Sequence, residues 1–315
     1  MYKVIGGYTV KKMQQNSLKK RERHLLLMTA IPLIQIFIFC YIPMGGLVIA
    51  FKDYRFNKGI FGSKWVGFDN FKFFLTSADF SRVAWNTIYL NFVFIIMEII
   101  FAVLVAVLLF EITSRRATKI YQTVMITPNF LSWVVVSYMV YAFLNPQYGY
   151  LNSVLTNMGM EKVNWYGEPK YWPFILTVSV LWKGVGMKSI YYYAGLMGID
   201  TALFEAAEID GAGKLKQIRY IMLPCLRQLV VILFILSVGN IFRADFGLFY
   251  QVPRNIGALY PTTDVMDTYI FRALKEVGDM SMSSAAGFMQ SIVGLVTVMV
   301  TNFIAKKVDS STALF

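Results

Sequence analysis

A chain of 315 residues has the length of two ordinary soluble domains, yet 57% of it is hydrophobic, only 15% is charged, and its mean hydropathy is +0.54. Soluble domains run at about 45–50% apolar and 25% charged, so lipid must be part of this chain's solvent, and a disordered chain, a collagen-like fibre and a small disulfide scaffold are excluded. The formal charge of +12 comes from Lys and Arg at the ends of apolar runs, which is membrane topology and not a nucleic-acid-binding face.

The chain opens on a basic arm, residues 1–24, which holds the only histidine, His24. A bilayer core needs about 20 apolar residues as helix. Six stretches qualify: Leu25–Ala50, Ala84–Phe110, Ile120–Leu144, Trp172–Met197, Leu226–Phe242 and Ala285–Ala305. The first is too long for a signal peptide and is read as a retained membrane helix. The fourth is the least apolar, because it contains Lys183 and Lys188. The expected fold is an all-α integral membrane protein of six transmembrane helices, residues 25–315 forming one domain. An even number of spans puts both termini on one side.

Lys and Arg identify that side. The arm carries seven, the Glu111–Lys119 connection three, the connection between spans four and five four, and the tail Lys306 and Lys307. The other face holds twelve, spread over longer connections. The denser face is expected to be cytoplasmic, with the short Glu111–Lys119 loop as the best witness. Trp65, Trp85, Trp165, Trp172, Tyr148 and Tyr150 sit where interfacial aromatics anchor helices, and Tyr191–Tyr193 read the same way at the cytoplasmic end of span four.

The loop at 198–224 carries the most information. Asp200 or Thr201 can cap a first helix, Asp210-Gly211 supplies a break at positive φ, and Leu215, Ile218, Ile221 and Met222 form the apolar stripe of a second helix expected to stop at Pro224. Ala206, Ala207 and Ala212 keep this elbow thin. An ordinary amphipathic helix on the headgroups would share the stripe, but it does not require Asp-Gly-Ala at this offset. Glu205-Ala206-Ala207, Asp210-Gly211-Ala212 and Ile221-Met-Leu-Pro224 together resemble the EAA motif of binding-protein-dependent ABC importer permeases. Trp65-Val-Gly-Phe-Asp69-Asn70-Phe71, Asn86-Thr87, Asn145-Pro with Gly149 and Asn152, Trp182-Lys183-Gly184, Asp267 to Arg272, and Thr301-Asn302 resemble the family's sugar-transporting branch, in particular permeases for complex oligosaccharides or polysaccharide fragments. Ile218 departs from the aromatic often found at its position.

The resemblance implies a type I ABC importer permease in the bacterial cell membrane, with a cytoplasmic coupling helix-turn-helix. It further implies a second six-span chain, expected as a heterodimer, two cytoplasmic ATPase subunits and an extracytoplasmic solute-binding protein. By position, Glu205 and Gly211 would be the residues most needed for coupling, with Ala206, Ala207, Asp210 and Ala212 shaping the elbow. The sole Gly-Lys pair, Gly213-Lys214, lacks the rest of a phosphate-binding loop. This chain is therefore expected to hold no cofactor and no catalytic residue, ATP and Mg being bound by its partners. Cys40 and Cys225 form no CxxC pair, so no metal site is expected.

Charged side chains at bilayer depth cost about 2.5–3.5 kcal/mol on insertion scales and are functional candidates. Lys183 and Glu98 stand out, with Trp182 beside the first. Lys183 and Trp182 facing a sugar path is one reading; a structural Lys183–Glu98 pair, or a snorkelling Lys183, is the other. Gly184 and Gly186 are expected to loosen the helix toward that path. Asn91, Asn240 and Gln290 are weaker path candidates, expected chiefly to join helices. An ion-coupled carrier would show repeated halves and matching discontinuous helices, and a membrane-embedded enzyme a cluster of catalytic groups. The sequence shows neither.

Overall fold

The computed structural model describes residues 25–308, so the arm at 1–24 and His24 lie outside the described residues. Helix α1 (Leu25–Phe51) leads into a two-residue antiparallel ladder, β1 (Lys52–Asp53) with β2 (Lys64–Trp65), in which Lys52 faces Trp65. There follow α2 (Asp69–Thr76) and α3 (Ala78–Phe110), α4 (Arg115–Phe130) and α5 (Trp133–Leu144), α6 (Tyr150–Asn157) and α7 (Trp172–Met197). The elbow helix α8 (Thr201–Ile209) precedes α9 (Lys214–Gly239). Short helices α10 (Phe246–Gln251) and α11 (Met266–Arg272) then lead to α12 (Met280–Val308).

Four described helices, α1, α3, α9 and α12, are long and apolar enough to cross a bilayer, and the α4–α5 pair makes a fifth if counted as one span. The fourth expected span is one continuous 26-residue helix, α7, but Lys183, Lys188 and the buried Thr177, Ser179 and Ser189 leave it outside that set. It packs along α3 more extensively than any other pair of elements. The apolar window of α1 is wholly unburied, as expected of a lipid-facing helix.

Four expectations need correction. The stretch Ile120–Leu144 is not one straight helix: α4 and α5 meet at 97°. Pro128 tightens the end of α4 into a 3-10 turn, Leu131 is extended, and Ser132 accepts the Val135 N–H at 3.4 Å to start a new helix. Pro224 does not stop the elbow's second helix, which continues through it as α9. A proline removes an N–H and crowds the carbonyl four residues back, and the wider π turn at Ile218–Met222 absorbs that crowding. The same device, Phe37–Tyr41, precedes Pro43 in α1. Third, Trp172 and Tyr192 are core residues, 0% and 2% exposed; the Trp172 indole donates to the Trp165 carbonyl at 2.8 Å. Trp65, Trp85, Tyr148, Tyr150 and Tyr191 are exposed.

Gly186 does not loosen α7. A Cβ there would lie 1.8 Å from the Met125 carbonyl oxygen, so glycine lets the α4 backbone press against α7, and Gly184 makes room for the Glu98 carboxylate. Gly186→Ala should therefore force two backbones apart and cost about 1–3 kcal/mol. Gly287→Ala, whose Cβ would meet nothing within 4 Å, should leave the melting temperature in detergent unchanged. Equal melting temperatures for the two variants would contradict the contact.

Candidate translocation path and coupling elbow

Two interruptions of helix face each other across a cavity of about 420 Å³. The first is the bend at 127–132. It frees the Asn129 carbonyl, to which the Lys183 ammonium donates at 2.7 Å while lying 5.3 Å from the centre of the Trp133 ring. The second follows α9, where residues 240–244 leave the helix. Backbone groups freed in a membrane protein must find partners or line a wet cavity, and here they do both. The Asn91 amide, reaching from α3, donates to the Ile241 carbonyl at 2.8 Å; the Gln290 amide, from α12, donates to the Phe242 carbonyl and to Asp267. The Ala244 N–H donates to the Asp267 carboxylate at 2.8 Å. Burial pushes the Asp267 carboxyl above its ordinary value, against the pull of these donors. A bond between the two interruptions closes the arrangement: the Trp133 indole donates to Asp245 at 2.6 Å.

The cavity is lined by Glu98, Lys183, Lys188, Arg243 and Asp245 among charged residues, with Asn91, Asn129, Asn240 and Trp133. Glu98 is paired, but with Lys188, about 1.4 turns beyond Lys183 on α7. The alternative Lys183–Glu98 pair is therefore corrected, and Lys183 is left with a carbonyl and a ring face. Among the described residues neither Lys183 nor Arg243 has a carboxylate within ion-pair distance. The cavity thus presents two cations without an ion-paired carboxylate, Arg243 acting on Asp267 from beyond ion-pair distance, beside one paired and one hydrogen-bonded carboxylate. Trp182 is 43% exposed and does not line it, and Gln290 lines a smaller neighbouring space with Asn240. Arg243, Asp245 and Asn129 escaped the sequence reading. The signal was Pro128-Asn129 and the charged triplet Arg243-Ala244-Asp245 inside or beside apolar runs.

The elbow has the expected local form. Asp200 accepts the Ala202 N–H at 3.0 Å and caps α8. Its other end is a Schellman motif: Gly211 sits at φ +71°, its N–H donates to the Glu208 carbonyl at 3.0 Å, and the Ala212 N–H donates to the Ala207 carbonyl at 2.8 Å. Glu205, Ala206, Asp210 and Gly211 are exposed, while Ala207 and Ala212 are half-buried. The elbow does not float. Phe204, Ile199, Ile218 and Met222 pack with Ala102, Ala106, Val107, Tyr192 and Leu196 of α3 and α7, and Lys214 lies 3.4 Å from Glu111 at the end of α3.

The other motif residues satisfy backbone. The Asn70 amide donates to the Ala50 and Lys52 carbonyls. Asn152 receives the Val163 N–H and the Trp165 indole. The Asn86 amide donates to the Pro261 and Asp264 carbonyls, and the Thr87 hydroxyl accepts the Met266 N–H, so α3 grips the segment before α11. Asp264, 1% exposed, pairs with Arg272 at 2.5 Å. No cluster of metal-ligating residues occurs among the described residues.

An all-helical bundle with interrupted helices around a charged cavity and a Schellman elbow at one end is the fold of a type I ABC permease. Residues 98–312 match the family described as binding-protein-dependent transport system inner membrane component, and the chain belongs to that family. It is similar to the polygalacturonan/rhamnogalacturonan transport system permease protein YteP of Bacillus subtilis, 33% identical over 91% of this chain and 89% of that protein. It is likewise similar to protein LplB of Bacillus subtilis, 31% identical over 92% and 91%. Its fold matches a crystal structure of a bacterial ABC transporter involved in the import of the acidic polysaccharide alginate, with TM-score 0.84, 31% identity and coverage of 94% of this chain and 99% of that one. Membership of this family makes the chain a multi-pass membrane transport subunit and displaces the secondary-carrier and enzyme alternatives.

The Glu98–Lys188 pair gives a test of the site's assembly. Lys188→Met leaves a buried carboxylate alone and should lower the melting temperature by roughly 3–8 °C, about 1–3 kcal/mol. Adding Glu98→Gln should restore at least half of that loss, and additive losses in the double variant would contradict the pairing.

Proposed function

We propose that this chain is one of two permease subunits of an ATP-driven importer that carries an acidic oligosaccharide or polysaccharide fragment across the bacterial cytoplasmic membrane. The observation that carries the substrate reading is the pair of cations without an ion-paired carboxylate, Lys183 and Arg243, in the polar cavity. A carboxylate on the solute would complete their charge, and the Trp133 ring offers an apolar face to a sugar. The names of the two similar proteins for acidic polysaccharides, one acting on polygalacturonan and the other on alginate, support the same class.

In this reading α1, α3, the bent α4–α5 pair, α7, α9 and α12 make six passes, residues 25–315 are one permease domain, and both termini and the basic arm at 1–24 are cytoplasmic. Two ATPase subunits bind ATP and Mg below, a second six-span chain pairs beside, and a solute-binding protein docks outside. A structure similar to this chain contains alginate pentasaccharide-bound periplasmic protein, which supports that last partner. Glu205, Ala206, Asp210 and Gly211 meet the ATPase cleft, and Ala207 and Ala212 hold the elbow's shape. Closure of the ATPases moves the elbow. Because the elbow packs on α3 and α7, the movement reaches Glu98 and Lys188 on those two helices, and through them the cavity wall. Lys183, Arg243 and Asn240 contact the solute, while Asn91 and Gln290 keep the interrupted segment folded.

The reading is tested in the reconstituted transporter. Glu205→Ala and Gly211→Asp should each reduce solute-stimulated ATPase to the unstimulated rate with the chain still inserted, the second because aspartate strains the φ +71° position. Full stimulation in both variants would contradict the coupling assignment. For the substrate class, Lys183→Gln with Arg243→Gln should lower stimulation by uronic oligosaccharides roughly tenfold or more relative to neutral ones, the loss of charge-assisted contacts.

A further inference from the structure

The bond between Trp133 and Asp245 is one of two rungs joining α5 to the segment 245–254. The second lies at the other end. Arg254 places its guanidinium 4.3 Å from the centre of the Tyr141 ring and 5.7 Å from that of Tyr138. On α5, Trp133 and Tyr141 are separated by about 12 Å along the axis and about 80° around it, hence on one broad face. Since α9 climbs from the elbow to the cavity and 245–254 continues from there, the second rung lies beyond the cavity on the side away from the elbow.

Two features set Arg254 apart from a simple packing residue. Its backbone is left-handed at φ +59°, and Asn255 follows at φ +50°, a conformation that side chains other than glycine rarely hold in succession. The surroundings enforce it: the Tyr260 hydroxyl donates to the Asn255 side-chain oxygen at 3.0 Å, and Pro253 and Val252 are buried. Strain kept in this way is found where a side chain must be aimed. The aim is also informative. A guanidinium held over a tyrosine ring engages the π face and still carries N–H donors for another acceptor. Arg254 is exposed, and among the described residues its side chain has no hydrogen bond and no carboxylate partner. Burial raises the neighbouring Tyr166 phenol, with Arg254 opposing, so that ring too remains a neutral wall beside Tyr141.

We propose that Arg254, with Tyr138 and Tyr141, is an outer subsite that holds a second uronate of the same sugar chain whose first uronate lies at Lys183 and Trp133. This rests on the acidic-oligosaccharide reading above and adds a length requirement to it. The two aromatic platforms, Trp133 and Tyr141, stand about 12 Å apart along α5, further than the carboxylates of two successive rings, so a disaccharide fills one site and a longer chain bridges both, gaining affinity without a new contact at the inner site.

The experiment uses the complete reconstituted transporter with its binding protein, stimulated by an unsaturated or saturated uronic disaccharide and by the corresponding tetrasaccharide. Arg254→Gln should lower the ratio of tetrasaccharide- to disaccharide-stimulated ATPase roughly tenfold, and Arg254→Lys should recover part of it. Lys183→Gln should depress both responses and keep their ratio. A ratio unchanged in Arg254→Gln, or an equal loss for both lengths that Arg254→Lys does not relieve, would overturn the subsite and leave the importer reading intact. No response of the unmodified transporter to uronic chains of either length would overturn the reading on which both rest.

Discussion

The structure depends on how backbone groups are satisfied where two helices of the membrane bundle are interrupted. A continuous helix pairs its own N–H and C=O groups; a broken one exposes several, and hydrocarbon offers no partners. Here the partners are supplied from neighbouring helices. Asn91, Gln290 and Asp267 take the segment after α9, and Lys183 takes the carbonyl released before α5. Polar residues inside apolar helices thus hold the interruptions open, and the open interruptions make the cavity polar. The same constraint explains why Trp133 and Asp245 meet: each begins or caps the short helix that follows its break.

The cavity and the elbow share a mechanical frame. α3 and α7 pack along each other, carry the Glu98–Lys188 pair at cavity level, and at their far ends seat Phe204 and Met222 of the elbow region. Gly186 brings α4 into the same frame by backbone contact. Packed protein interiors transmit displacement because they are dense and poorly compressible, and on the proposed coupling a push at the Schellman turn would travel along α3 and α7 to where they border the cavity. The π turn at Ile218–Met222 lets α9 run unbroken from elbow to cavity despite Pro224.

Much of this was legible in the sequence, unevenly. The elbow was read nearly residue by residue, because Asp200, Gly211 and the alanines express local preferences that tertiary packing did not override. Four of the six expected apolar stretches are helices long and apolar enough to cross a bilayer and a fifth is a bent pair, because hydropathy averages over a window and passes straight through Pro128 and its 97° bend. Pro224 was overread for the opposite reason, since a π turn can carry a proline that an α-helix cannot. Glu98 and Lys183 were both noticed, yet which lysine pairs with Glu98 depends on helix rotation, which composition does not encode. Of the three amides expected to join helices, Asn91 and Gln290 reach from their helices to the backbone of the interrupted segment, whereas Asn240 donates to the Leu236 carbonyl of its own helix at 3.2 Å. Trp172 and Tyr192 read as surface anchors in the sequence because an aromatic near a helix end has the same signature whether it faces headgroups or core.

The central claim is that the elbow and the cavity move together. It is tested most directly by the reactivity of a single cysteine at Asn240, with Cys40 and Cys225 replaced by serine, toward a membrane-impermeant thiol reagent added from outside to the reconstituted transporter. Trapping nucleotide in the ATPase subunits should raise the labelling rate, and Gly211→Asp should abolish that rise. A labelling rate that ignores nucleotide, or that rises equally with Gly211→Asp, would contradict the account.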